Sequence, residues 1–237
     1  LRTREAVKAV SGGDRAAGVV TDKGEYPAQL VVLSVGVRPN TSFLAGTGVE
    51  LLRNGAVVVD GQMRSSVPHI FAAGDCATIT NKVTGKPVYL PLGTNANKQG
   101  KVLGEVLCGQ DARLEGVLGT SMCRVIDLEV ARTGLNEAEA EAAGIPVQVV
   151  KTTAHTKPPY YPGGCELTIK LFCHAETKAL LGAQLAGLEG AASRIGMCAL
   201  AVDAGVTCPQ LAMADLGYAP PFNYVWDPVQ LAAGMVK

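Results

Sequence analysis

Apolar positions change their period along the chain. They begin as short runs separated by turn residues: Ala6 to Val10, a Gly12-Gly13-Asp14 turn, Ala17 to Thr21, an Asp22-Lys23-Gly24-Glu25 turn, then Leu30-Val31-Val32-Leu33-Ser34-Val35. Such runs and turns predict three strands. The unbroken third run predicts a strand buried on both faces and ended by Gly36-Val37-Arg38-Pro39-Asn40. Val57 to Val59 predicts a short strand, and Ile70-Phe71-Ala72-Ala73 a buried one that stops at Gly74-Asp75. From Asn95 to Leu107 the period is helical, with Ala96, Val102, Leu103, Val106 and Leu107 on one face and Gly109 as the stop.

A second unit begins near Gly119. It predicts strands at Ser121 to Asp127, Pro146 to Thr153, Glu166 to Cys173 and Ala179 to Ala186, with helices at Asn136 to Ala143 and Ala191 to Ala204. Strands grouped with flanking helices point to an α+β domain, and 237 residues suit two modest units.

Composition adds exclusions. An apolar fraction of 48%, 28 glycines and 18% charged residues belong to a packed globular chain. Lys plus Arg equals Asp plus Glu, 21 against 21, so no net field favours nucleic acid or an anionic membrane as a partner. No apolar run approaches the roughly 18 residues of a spanning helix. The opening Leu1-Arg2-Thr3-Arg4-Glu5 lacks the apolar stretch of a signal peptide, which predicts a cytoplasmic protein. Seven cysteines are scattered among apolar neighbours without a C-x-x-C pair, and most are expected as buried reduced thiols. His69, His155 and His174 are too dispersed for a zinc site, so no metal is expected.

Chemistry concentrates at Ser65-Ser66-Val67-Pro68-His69-Ile70-Phe71-Ala72-Ala73-Gly74-Asp75. Here a strand delivers a glycine, whose missing side chain allows close backbone approach to a ligand, and then a carboxylate that can accept hydrogen bonds from hydroxyls. The segment resembles the second FAD fingerprint of the two-dinucleotide-fold flavoenzymes. Upstream, Leu33-Ser34-Val35-Gly36-Val37-Arg38-Pro39-Asn40 resembles the junction where the inserted NAD domain of that superfamily returns the chain to the FAD domain. Downstream, Tyr89-Leu90-Pro91-Leu92-Gly93-Thr94-Asn95-Ala96-Asn97-Lys98-Gln99-Gly100 is similar to the loop and helix start beside the flavin pyrimidine edge. There the helix N-terminus would stabilise charge developing on the reduced flavin.

Near the C-terminus, Tyr160-Tyr161-Pro162-Gly163-Gly164, Asp215-Leu216-Gly217-Tyr218-Ala219-Pro220-Pro221-Phe222 and Val225-Trp226-Asp227-Pro228 resemble coenzyme A disulfide reductases and related NADH oxidases and peroxidases. The resemblance implies the C-terminal part of a pyridine-nucleotide-disulfide oxidoreductase. Its fold would combine α/β and α+β parts: a remnant of the NAD(P)-binding domain at 1–38, the returning part of the FAD domain at 39–115, and a dimerisation domain at 116–237. FAD would meet Gly74, Asp75, Pro91, Leu92, Gly93 and Thr94, and substrate would meet Asn97. Tyr160 and Tyr218 would act across a homodimer, with Tyr161 and His155 as weaker candidates near the same mouth.

The implied reaction runs from NAD(P)H through FAD to a redox cysteine outside this chain, and on to a small-molecule disulfide, oxygen or peroxide. No G-x-G-x-x-G occurs, so both pyrophosphate sites are missing and the chain alone is expected to be inactive. No histidine follows His174, which disfavours the branch with a His-x-x-x-x-Glu pair. Ser193-Arg194-Ile195-Gly196 stands where relatives often carry Arg-Ile-Asp, and Trp226 where some coenzyme A reductases carry a lysine. The other reading is a non-catalytic dimerisation module that has lost its cofactor sites.

Overall fold

A computed structural model describes residues 1–237, which form two compact units, Leu1–Arg38 and Pro39–Lys237. The first is an antiparallel sheet of β1 (Val7–Gly12), β2 (Ala16–Thr21) and β3 (Glu25–Pro27), in that order. The Glu5 carboxylate accepts hydrogen bonds from Thr21 Oγ1 at 2.6 Å and the Tyr26 hydroxyl at 2.7 Å, tying the chain before β1 to β2 and β3. These bonds hold Glu5 below the usual carboxylate range and push the Tyr26 phenol up.

The third strand is therefore Glu25–Pro27 and not the apolar run that the pattern favours. Leu30 to Val35 joins no ladder, and Leu30, Val32 and Val35 are exposed. A strand buried on both faces needs a ladder on each edge, and no strand of this chain pairs with that run.

The second unit holds two hydrophobic clusters. One gathers Val49, Val57, Val59, Met63 and Ala77 from a region built mainly of turns. The expected strands at Val57–Val59 and Ile70–Ala73 shrink to isolated bridges, Leu51 with Val57, Val57 with Ala77, and Arg64 with Phe71. Ile70 to Ala73 is half-buried. Local turns take the backbone groups that a ladder would use: Asp60 Oδ1 accepts from the N–H groups of Gln62 and Arg64, and Met63 and His69 adopt φ of 64° and 67°. A hairpin of β4 (Ile79–Thr80) and β5 (Pro87–Val88) follows, and then α1 (Gly93–Leu107).

The other cluster lies under a five-stranded antiparallel sheet ordered β6-β7-β10-β9-β8, made of β6 (Ser121–Val125), β7 (Leu128–Gly134), β8 (Val147–His155), β9 (Glu166–His174) and β10 (Leu180–Gly187). Leu167, Ile169 and Leu171 alternate inward along β9 and are fully buried, as a half-covered strand requires. They meet Ile195 and Cys198 of α3 (Ala191–Asp203) and Val229 and Ala233 of α5 (Pro228–Ala233). Between β7 and β8, α2 (Glu137–Ala143) starts with a capping box at Asn136 and Glu139 and ends at Gly144 in the left-handed region. The short α4 (Cys208–Ala212) and α5 also begin with capping boxes and an early proline. Neither has the length to show a helical period.

The β7–β10 pairing brings Gly182 so close to its neighbour that an added Cβ would sit 2.0 Å from the Leu135 carbonyl oxygen. Gly196, on the exposed side of α3, has open space around it. Denaturant unfolding should therefore show Gly182→Ala destabilising by roughly 1–3 kcal/mol or more, and Gly196→Ala stabilising by about 0.5–1 kcal/mol.

Candidate functional site

Two groups of sequence-predicted residues come together in the second unit. In the first, Gly74 lies at φ +85° and its N–H donates to Gln99 Oε1 at 2.8 Å. The same buried glutamine donates through Nε2 to the Thr78 carbonyl at 2.8 Å, so α1 grips the chain on both sides of Asp75. Gln99 was not singled out from the sequence; a polar residue inside an otherwise helical pattern was its only signal. The Asp75 side chain is exposed and makes no hydrogen bond or ion pair within the chain.

The N-terminus of α1 faces solvent without compensation. Leu92 is the N-cap residue, no side chain caps the helix, no acid lies in its first turn, and Gly93 and Thr94 are exposed. The helix begins two residues earlier than its periodicity predicts, so Asn95 lies within its first turn. It is buried and donates through Nδ2 to the Leu90 carbonyl at 3.1 Å, fixing the Leu90-Pro91 segment. Pro91 and Leu92 border a cleft of about 650 Å³ walled by Leu118, Leu135 and Ala143 and edged by the Arg132–Glu139 ion pair. Asn97 is exposed on α1 and bonds nothing.

In the second group, Tyr160 and Tyr218, 58 residues apart in sequence, place their hydroxyls 3.1 Å from each other. Both are solvent-accessible, Tyr160 at 74% and Tyr218 at 44%. The hydrogen bond shared with Tyr160, which favours the neutral phenol when Tyr218 donates, together with partial desolvation pushes the Tyr218 phenol above its ordinary range. Tyr161 is half-buried, its N–H turned back to the Pro158 carbonyl, and His155 is exposed at the end of β8. Trp226 is exposed beside Asp227.

The Tyr160 loop is closed at its base by Thr156, whose N–H donates to the Cys165 carbonyl at 2.9 Å and whose Oγ1 accepts from the Cys165 N–H at 3.1 Å. Asp227, buried, caps α5 through Val229 N–H at 2.8 Å and accepts from Arg194 Nε at 2.8 Å. Where the Arg-Ile-Asp pattern is broken at Gly196, Arg194 thus finds its carboxylate 33 residues downstream. The sequence signal for this was Asp227-Pro228-Val229-Gln230, a capping box with proline at the first helical position.

The thiols differ from the expectation of buried reduced cysteines. The sulfurs of Cys173 and Cys208 are paired, joining the end of β9 to the start of α4. Of the remaining five, Cys198 alone is buried, while Cys108 and Cys123 are exposed. Cys173 and Cys208 are neighbours because the Ala179–Thr207 bridge brings the two segments together, which sequence spacing does not reveal. Burial and the nearby Asp227 carboxylate push the Cys198 thiol up to about 12.

Two profiles of one family match the chain: pyridine nucleotide-disulphide oxidoreductase over residues 1–100, and the dimerisation domain of the same family over 120–228. The chain is 40% identical over its full length to an NAD(P)H sulfur oxidoreductase (CoA-dependent) of Pyrococcus furiosus, covering 53% of that protein. It is 36% identical to an NADH oxidase of Streptococcus pyogenes, with 97% of this chain and 50% of the relative aligned. Among solved structures, an NAD-dependent persulfide reductase from A. fulgidus superposes with a TM-score of 0.90 at 36% identity, over 97% of this chain and 43% of that one. The chain thus spans about half the length of the curated relatives it matches.

The tyrosine contact makes a prediction that needs no cofactor. With tyrosine Cζ labelled and followed by NMR against pH, Tyr218 should titrate above the ordinary phenol range, and Tyr160→Phe should lower it, because the bond favouring its neutral form is lost. Tyr26 should stay high in both proteins, held by Glu5.

Proposed function

Because the chain belongs to the pyridine nucleotide-disulphide oxidoreductase family, we propose that it is the part of an FAD-dependent, NAD(P)H-linked oxidoreductase that completes the flavin site and forms the dimer. The observation that carries this is an unengaged Asp75 carboxylate on a turn that Gln99 of α1 ties down at Gly74 and Thr78, on the same helix whose N-terminus is open. A carboxylate accepts from polyol hydroxyls, and an uncapped helix start favours negative charge, so the set fits the ribityl chain and pyrimidine edge of a flavin. Such a pair also argues against the non-catalytic module, which has no use for it.

Bound FAD would supply the electron carrier between nicotinamide and acceptor. Asp75 would orient it through hydroxyl contacts, Gly74 would leave room for it, and Pro91, Leu92, Gly93 and Thr94 would line its edge. The favoured acceptor is a sulfur–sulfur bond of a coenzyme A-linked substrate, supported by the name of the Pyrococcus furiosus relative; oxygen or peroxide is the second reading, supported by the NADH oxidase. Asn97, exposed on α1, would meet the substrate. In a homodimer formed through the C-terminal domain, Tyr160 and Tyr218 would face the partner's flavin, one phenol donating to the leaving thiolate while the other holds it in place.

The proposed segments are 1–38, 39–115 and 116–237, supported by a family match that changes profile between residues 100 and 120. A cytoplasmic setting, where NAD(P)H is at hand, belongs to the same proposal. No helix is long and apolar enough to cross a membrane.

The test uses the full-length flavoprotein to which the proposal assigns this chain. Asp75→Ala removes charge-assisted hydrogen bonds worth roughly 1.5–3 kcal/mol each, so FAD should be held about 10- to 100-fold less tightly. The flavin-to-protein absorbance ratio after gel filtration reads this directly. An unchanged ratio would overturn the assignment.

A further inference from the structure

Arg194 lies where the supports of both tyrosine loops meet. It is 9% exposed, in the first turn of α3, and its guanidinium bonds three groups: Asp227 Oδ2 through Nε at 2.8 Å, Asn223 Oδ1 through Nη2 at 2.9 Å, and the Gly190 carbonyl through Nη1 at 3.3 Å. Asn223 and Asp227 end the segment that carries Tyr218. That segment is also held at its start, because Gln230 of α5 donates to the Ala214 carbonyl at 2.7 Å while its Oε1 accepts from the Asp227 N–H at 3.2 Å. The segment from Ala214 to Asp227 is thus a loop with both feet on α5, and Arg194 bonds α5's cap to α3.

The Tyr160 loop reaches the same point from the other side. Its closing residue, Thr156, is 2% exposed and packs on Gly190, so that a Cβ at Gly190 would lie 3.1 Å from Thr156 Cγ2 and 2.4 Å from Arg194 Nη1. Lys157, the next residue, pairs with Glu189 at 3.4 Å, beside Gly190. One loop is therefore packed against the Gly190 turn, and the other is hydrogen-bonded to the arginine that grips it.

We propose that Arg194 is the positioning residue of the tyrosine pair: through Asn223, Asp227 and Gly190 it sets the two loops at the separation that lets the Tyr160 and Tyr218 hydroxyls bond. A lysine has one charged point in place of a planar fork and cannot serve three acceptors in these directions. Arg194 hydrogen-bonds neither tyrosine and acts through the loop bases. The importance of this positioning for electron transfer rests on the function proposed above; the positioning itself does not.

The test reads Tyr218 in the purified 237-residue chain by the tyrosine NMR titration, with Tyr160→Phe as the reference for a broken pair. Tyr224, whose charge also bears on Tyr218, is kept unchanged. Arg194→Lys and Asn223→Ala should each lower the Tyr218 titration to the Tyr160→Phe value. Gly182→Ala, which strains the sheet far from the loops in sequence, should leave it in place while lowering the melting temperature. Asn223→Ala removes one arm, together with the bond its Oδ1 accepts from the Tyr224 N–H at 2.9 Å, and leaves the buried ion pair intact, so it decides the matter if Arg194→Lys fails to fold. An unshifted Tyr218 in folded Asn223→Ala would overturn the proposal, as would an equal shift in Gly182→Ala. In the full-length flavoprotein, a shifted Tyr218 with unaltered electron transfer would leave the positioning intact and refute the role given to the tyrosines.

Discussion

A guanidinium buried against an apolar sheet requires a carboxylate, and at Arg194 that requirement organises the C-terminal half. The sheet's inner face, lined by Leu167, Ile169 and Leu171, is covered by α3 and α5, and Arg194 sits in that covering layer. Desolvating it alone would be prohibitive, whereas breaking such a pair by removing one partner costs roughly 3–5 kcal/mol. Asp227 meets the need while capping α5, so one carboxylate fixes the final helix, the chain before it and the helix beneath. The aromatic segment from Tyr218 to Trp226 is suspended between these anchors, which lets an exposed loop hold a defined shape.

The first half of the larger unit solves a similar problem with less regular structure. Apart from the short β4–β5 hairpin, its strands reduce to single bridges, and polar side chains carry the fixing. Gln99 clamps Gly74 and Thr78, Asn95 clamps Leu90, and Thr41 donates to the Gly55 carbonyl at 2.6 Å. Each side chain satisfies backbone groups that no ladder reaches. The result is a turn that presents Asp75 outward next to an uncapped helix, a geometry that regular pairing would bury. Economy of secondary structure here keeps the Asp75 carboxylate and the start of α1 exposed.

Elements with enough length to show a period were legible in the sequence. The helix ending at Leu107, the strand at Glu166 and the helix from Ala191 are where the apolar spacing puts them, to within two residues at their ends. Leu30 to Val35 was misread, because an unbroken apolar run does not reveal whether a neighbouring strand exists to bury it. Strand β7 escaped notice because Glu129 and Arg132 interrupt its alternation, and α4 and α5 because one or two turns carry no period. Of the proposed site, Asp75, Tyr160 and Tyr218 were singled out from motif resemblance, but the contact between the tyrosines was not foreseen. The loops that carry them are tied down partly by long-range bonds, Arg194 to Asp227 and Asn223 and Gln230 to Ala214, which span between 16 and 33 residues and which sequence spacing does not reveal.

The tyrosine pair either serves chemistry at a flavin or only packs an interface, and kinetics tell the two apart. Anaerobic rapid mixing of the proposed full-length flavoprotein would separate flavin reduction by NAD(P)H from the later transfer to a disulfide substrate. With both Tyr160 and Tyr218 replaced by Phe, reduction should proceed at the wild-type rate, and the second step should slow by roughly 100-fold, the usual scale for losing a positioned proton donor. Unchanged rates for both steps would contradict the account.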